Sequence, residues 1–249
     1  MEEYHVESFN KRNLKYPQSF QINYEDEIHE LAVKAPLHVE RPLGSIRLPI
    51  DDEKITMSVE EAITTRVSGR EFSSQPMPLS KLAKILYLAN GVRKQPLPGP
   101  RPAHDRNVPS SGGLGSVEVF CFVMNVESVQ PGLYHFDSVH HELMLLKKGH
   151  FATWIREFAV MQIEASEPPV VFVLTSSIGR LNSKYGPRSY RLGLMDVGHV
   201  SDNIYLTATA LGLNVFAYNG FIDTALNQAL ALDGFERTTF LCLGVGLRP

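Results

Sequence analysis

The sequence predicts a domain of alternating helices and strands over residues 58–249, preceded by an irregular arm over residues 1–57. Three observations predict it. Apolar runs rich in β-branched and aromatic residues alternate with segments of helical period from residue 58 onward. Residues 1–57 instead carry scattered charge, aromatics and Pro17, Pro36, Pro42 and Pro49, as expected of an arm laid over the body or over a partner. A chain of 249 residues with 43% hydrophobic content is long enough to bury one large core.

The elements follow in order. Ser58 and Glu61 have the spacing of a capping box, so a helix is expected to run from there towards Arg66. A second helix is expected over Leu79–Asn90, with Leu82, Ile85, Leu86 and Ala89 on one stripe and Gly91 as its stop. A loop rich in Pro and Gly spans Val92–Ser116 and leads into Val117–Val126, an almost continuously apolar stretch that predicts a strand covered on both faces. Gly132–Phe136 and Glu142–Leu146 flank a polar turn and predict a hairpin. Beyond it come a helix over Phe151–Glu164, a buried strand at Val170–Thr175 and a long helix over Asp196–Leu211 that stops at Gly212. A strand at Leu213–Tyr218, a helix over Asp223–Leu232 and a strand at Thr239–Val245 close the domain.

Composition excludes several classes. The formal charge of −3 comes from interspersed acids and bases, so nothing predicts nucleic-acid binding. Neither a signal peptide nor an apolar stretch of membrane-spanning length is visible, and Cys121 and Cys242 sit in apolar runs as reduced core thiols; the expected location is cytoplasmic, away from the membrane. His140 and His141 are adjacent, so their side chains point apart and share no metal; both are expected to face solvent, and no metal site is predicted. The glycines of Gly112-Gly113-Leu114-Gly115 precede their strand, which is the reverse of a dinucleotide fingerprint.

Three clusters carry candidate chemistry. In Arg66-Val67-Ser68-Gly69-Arg70-Glu71-Phe72 an extended backbone would turn residues 66, 68 and 70 to one side, a trio suited to a phosphate and its polyol tail. In Pro109-Ser110-Ser111-Gly112-Gly113 the glycines free the backbone to approach a flat ligand. Lys184-Tyr185-Gly186-Pro187-Arg188-Ser189-Tyr190-Arg191 gathers cations and phenols just ahead of the long helix.

Taken with Asp-x-Gly-His-Val at 196–200 and Ala-Leu-Gly-Leu at 210–213, the order and spacing of these clusters resemble the SagB-type branch of the nitroreductase family, from residue 58 to the C-terminus. Tyr4-His5 echoes a Tyr-His pair near the start of many members. The resemblance implies an α+β sandwich with a central mixed sheet flanked by helices, and an intertwined homodimer that binds FMN at its interface. Under it, Arg66, Ser68 and Arg70 contact the phosphate, ribityl chain and pyrimidine edge; Pro109, Ser110, Ser111 and Gly112 lie against the isoalloxazine. Asn219 and Gly220 stand near flavin N5, and Arg248 is a basic position near the phosphate. Many members follow Gly-Gly-Leu with an aromatic or His and then Pro, where this chain has Gly115-Ser116, so a more open substrate side is implied.

The implied activity is oxidation of peptide thiazoline or oxazoline rings to thiazole or oxazole, with Lys184 and Tyr185 as the catalytic pair for proton removal. A lysine serves as a base only where burial or neighbouring cations lower its pKa, and Tyr185 is an alternative relay. A modified precursor peptide and a cyclodehydratase are the implied partners. Two other functions fit the same chain: an NAD(P)H-dependent reductase of quinones, nitroaromatics or unsaturated bonds, and a flavin-binding structural subunit of a peptide-modifying complex.

Overall fold

A computed structural model of the chain describes residues 42–49, 54–93, 105–161 and 167–249. Its centre is a seven-stranded sheet of β1 (Gly44–Arg47), β2 (Val117–Val123), β3 (Gly132–Asp137), β4 (Glu142–Lys148), β5 (Val170–Ser177), β6 (Leu213–Tyr218) and β7 (Arg237–Leu247). The strand order is β1-β4-β3-β2-β5-β7-β6. The α+β class is as expected, but the strand pairings are all antiparallel rather than mixed. The reason is topological. β5 and β6 run in the same direction, yet β7 lies between them and pairs antiparallel with both.

Among the described residues, five helices of seven residues or more flank the sheet: α1 (Val59–Thr65), α2 (Leu79–Asn90), α3 (Ile178–Tyr185), α4 (Ser189–Ala210) and α5 (Asp223–Ala229). Ser58 caps α1, its Oγ accepting the Glu61 N–H at 3.1 Å, as the capping-box spacing predicts. Gly91 ends α2 for want of space rather than by a left-handed turn: its φ is −70°, and a Cβ there would lie 2.5 Å from Tyr87 O. Two differences from the sequence reading bear on the site. The long helix begins at Ser189, seven residues earlier than expected, and the Lys-Tyr cluster rides on α3 and a 3-10 turn, Gly186–Arg188, instead of on a loop. The expected helix from Phe151 is a short turn that widens into a π turn at Ile155–Ala159 and gives way to extended backbone at Val160; its far end lies outside the described residues, as do Tyr4-His5 and most of the arm.

Apolar residues fill both faces of the sheet. One core joins Leu82, Ile85 and Leu86 of α2 and Val197, Val200 and Ile204 of α4 to alternate positions such as Val119, Cys121 and Phe172. The other joins Phe120, Phe122, Val173 and Phe216 to Ile155 and to Leu226 of α5. Alternation along the strands thus sends Cys121 and Cys242 into different layers, where both are free thiols whose ionisation burial opposes. His141 corrects the sequence reading. His140 is exposed and pairs with Asp137 at 2.7 Å, but His141 is buried with its ring edge-on to Tyr87 and Phe136. The hairpin turn gives it φ +58° and swings it inward.

Candidate active site

The first cluster leaves α1 at Arg66 in extended backbone, and its polar side chains then reach two different rings. The Arg66 guanidinium lies 5.4 Å above the Tyr205 ring, Ser68 Oγ is 3.2 Å from Tyr205 Oη, and the Arg70 guanidinium lies 5.7 Å above Phe216. Tyr205 on α4 is itself fixed, because its Oη accepts the Ala217 N–H of β6 at 2.7 Å. Gly69 is required by packing, since a Cβ there would collide with the Asn214 side chain, whose Nδ2 donates to Glu71 O at 2.7 Å. Ser73 N–H donates to Leu247 O at 3.0 Å, which brings Arg248, one residue further, to the same end of the sheet. Neither Arg66 nor Arg70 has a carboxylate partner among the described residues, and both are exposed. Guanidiniums and hydroxyls are donors of the kind an anion takes.

The second and third clusters meet each other. Ser111–Gly113 is a 3-10 turn in which Gly112 and Gly113 have φ of +60° and +70°. A Cβ on Gly112 would collide with Tyr185 Oη and lie 3.1 Å from Lys184 Nζ, and Lys184 Nζ in turn is 5.6 Å from the centre of the Tyr185 ring. One turn earlier on α3, Arg180 donates to Leu114 O and Gly115 O, each at 3.3 Å. Ser110 Oγ accepts the Gly115 N–H at 3.1 Å and closes the loop on itself. Pro109 and Gly112 are exposed, leaving a face of the loop open to a ligand.

Asp196 holds this loop to α4. Its carboxylate accepts Ser111 N–H at 3.0 and 3.1 Å, Ser111 Oγ–H at 2.8 Å and Ser116 Oγ–H at 3.0 Å, all in a nearly solvent-free position. Sequence reasoning noticed Asp196 only as part of a helix motif, and it missed Tyr205 and Arg180 altogether. Their partners lie 85, 137 and 66 positions away, so no local spacing reveals them.

Asn219 and Gly220 follow β6 at the end opposite Asn214. Gly220 O accepts the Met161 N–H at 2.7 Å; in the orientation that satisfies its amide, Asn219 donates to Phe240 O at 2.9 Å. Asn219 also lines a cleft of about 1260 Å³ between the start of α4, α5 and the start of β7.

The two groups of candidate residues are anchored to different positions of α4. The Arg-Ser-Arg trio is anchored through Tyr205, and the Pro-Ser loop through Asp196. These two positions of α4 are nine residues apart, about 180° around the helix and about 14 Å along it. Among the described residues no group of acids, histidines and cysteines is arranged to hold a metal, and no helix is long and apolar enough to cross a membrane.

An antiparallel sheet sheathed by helices, with an Arg-Ser-Arg segment at one end and a glycine loop against a lysine-tyrosine pair, defines an α+β protein. The chain belongs to the nitroreductase family, which its residues 63–247 match. It is 30% identical over 187 residues to a putative nitroreductase, MJ1384, of Methanocaldococcus jannaschii, covering 75% of this chain and 89% of that one. It is 27% identical over 133 residues to the microcin B17-processing protein McbC of Escherichia coli, covering 51% of this chain and 49% of McbC. Among solved structures it resembles a chain of the E. coli microcin synthetase McbBCD complex with truncated pro-MccB17 bound, at TM-score 0.61 and 19% identity, covering 100% of this chain and 91% of that one. A putative nitroreductase of Desulfovibrio desulfuricans in complex with FMN superimposes at TM-score 0.52 and 14% identity, covering 76% of this chain and 84% of that one.

Proposed function

We propose that the chain is an FMN-dependent dehydrogenase that oxidises thiazoline or oxazoline rings in peptides to thiazoles or oxazoles. The observation that carries this reading is the contact of Gly112 with Lys184 and Tyr185, which joins the loop expected against the flavin to the pair expected to move the proton. The likeness to McbC and to the McbBCD complex supports a peptide-modifying role, with a cyclodehydratase and a precursor peptide as partners. The exposed trio tests whether the residues fit FMN, and its two guanidiniums and hydroxyl match a phosphate and its polyol tail. Arg66, Ser68, Arg70 and Arg248 would hold that end, while Pro109, Ser110, Ser111 and Gly112 would contact the rings and Asn219-Gly220 their reacting edge.

Bound FMN supplies a two-electron acceptor for the hydride leaving the substrate ring. The chain's own task is to remove the accompanying proton from the ring carbon derived from Cα. Lys184 and Tyr185 are the pair placed to receive that proton, with Tyr185 orienting the lysine or relaying the proton onward. Asp196 and Arg180 keep the loop in place beneath them.

The two groups of candidate residues on opposite sides of α4 support a homodimer in which each chain completes the other's site. A surface suited to this exists on α1 and just beyond it, where Val59, Ile63 and Val67 recur every four residues and are all largely exposed. The test is direct. The purified protein should be yellow, denaturation should release FMN, and the native mass should be near twice 27.8 kDa. A colourless protein that takes up no added FMN refutes the cofactor assignment, and a monomer with stoichiometric FMN refutes the shared site. Rapid bleaching of the bound flavin by NAD(P)H, without ring oxidation, would instead support the reductase reading, which the likeness to MJ1384 also accommodates.

A further inference from the structure

The cleft that starts at Asn219 extends well past the candidate active site, and its lining differs in character from either group of candidate residues. Its volume of about 1260 Å³ exceeds the roughly 300–1,000 Å³ of pockets for compact small molecules. Tyr190 and Phe240, edge-on to one another at 5.4 Å, form an apolar wall. Asn182 and Gln228 add side-chain amides, each with a donor and an acceptor, as a peptide backbone has, and Asn219, whose amide nitrogen donates to Phe240 O, adds an acceptor.

Two further observations point to what enters. Thr239 lines the cleft with only 3% of its surface exposed, and its Oγ1 has no hydrogen-bond partner among the described residues. A buried hydroxyl left in that state is one that a ligand completes. Charge in the lining is also one-sided. Asp223, Asp233 and Glu236 outnumber the one cation of the lining, Arg191, and none of the three carboxylates forms an ion pair among the described residues, although the Arg237 charge also acts on Asp233. Asp233 is held as an anion: burial opposes its charge, but three backbone N–H groups, of Phe235, Glu236 and Arg237, donate to its Oδ1 at 2.7, 2.7 and 3.1 Å and keep its pKa below the ordinary value.

We infer that this cleft binds an extended peptide segment and favours a lysine or arginine flanking the residues presented at Asn219. The amides pair with the backbone, the aromatic wall takes an apolar or small residue, and the acidic rim takes the cation. The inference deepens the peptide-dehydrogenase reading and rests on Asn219 marking the reacting end.

The test uses the flavin-loaded protein and two fluorescein-labelled peptides of identical Gly-Ser core, one flanked by lysines and one by glutamates. Fluorescence anisotropy at low salt should show the lysine peptide binding about fivefold tighter or more, as expected of two or three exposed ion pairs. Added salt should narrow the gap. The double variant Asp223→Asn, Glu236→Gln should abolish the preference, and Thr239→Val should weaken both peptides alike. No binding, equal affinities, or a Thr239→Val variant with unchanged affinity would overturn the assignment. So would loss of FMN from these variants, since the flavin would then be what fills the cleft. Charge-selective binding without ring oxidation would sink the dehydrogenase reading alone, and ring oxidation without charge selection would sink this one alone.

Discussion

Gly112 and Tyr185 are in contact through a left-handed backbone: at φ +60° the glycine leaves no room for even a methyl group beneath the Tyr185 hydroxyl. The loop and the helix end that meet here are each held by their backbones. Ser111 is tied to Asp196 by three hydrogen bonds, and Tyr185 closes α3 just before the Gly186–Arg188 turn.

Gly112→Ala therefore carries two penalties. The left-handed conformation costs an alanine about 1–2 kcal/mol, and the methyl displaces the tyrosine. Thermal unfolding should show a modest loss of stability, while ring oxidation should fall far more than stability does. A variant with normal turnover would show that the contact has no catalytic consequence.

The trio is tested through cofactor affinity. Arg66→Ala or Arg70→Ala removes a charge-assisted contact worth roughly 1.5–3 kcal/mol, so FMN affinity should drop about tenfold or more in each. Both guanidiniums are exposed above aromatic rings, so the fold should be little affected. Isothermal titration of the apoproteins with FMN measures this, and unchanged affinity in both would make the trio an ordinary solvated edge.

What the sequence made legible follows from where each signal lies. α2 and β6 have the expected bounds because their periodicity is local, and Ser58 caps α1 because a capping box spans only four residues. The antiparallel sheet was not readable, because the placement of β7 between β5 and β6 is a tertiary choice that no strand's own residues encode. Asp196, Tyr205 and Arg180 were missed as site-builders on the same ground. α3 was overlooked because Gly179, Asn182 and Ser183 weaken its helical period.

A buried ionic network away from the candidate residues sets the acid limit of the fold. Glu118 of β2, almost without solvent contact, accepts from Arg237 Nε at 3.2 Å and from an Arg237 terminal nitrogen at 2.9 Å; His135 Nε2 lies 3.3 Å away, close enough for a charge contact. Burial opposes the charge on Glu118, but His135 and Arg237 outweigh it and hold the carboxyl below its ordinary value of 4.5. A carboxyl with a depressed folded-state pKa contributes stability in full above its unfolded value and loses that contribution as pH falls through the folded value. Urea midpoints should hold until about pH 4.5 and then decline. Glu118→Gln should lower stability near neutrality, because it removes the buried carboxylate charge that faces the Arg237 guanidinium, and should flatten this acid decline. A variant with the same midpoint and the same decline would show that the network is not a stabilising element.

The central claim is tested most directly by giving the flavin-loaded protein a synthetic thiazoline peptide and following product mass and the 2,4-thiazole absorbance, in parallel with Lys184→Ala and Tyr185→Phe. The account predicts loss of two hydrogens by the native protein and a drop of about 100- to 10,000-fold in the variants, which should stay yellow and reoxidise normally in air after dithionite. Native protein that retains FMN yet leaves the ring unoxidised, or variants that match its rate, would contradict it.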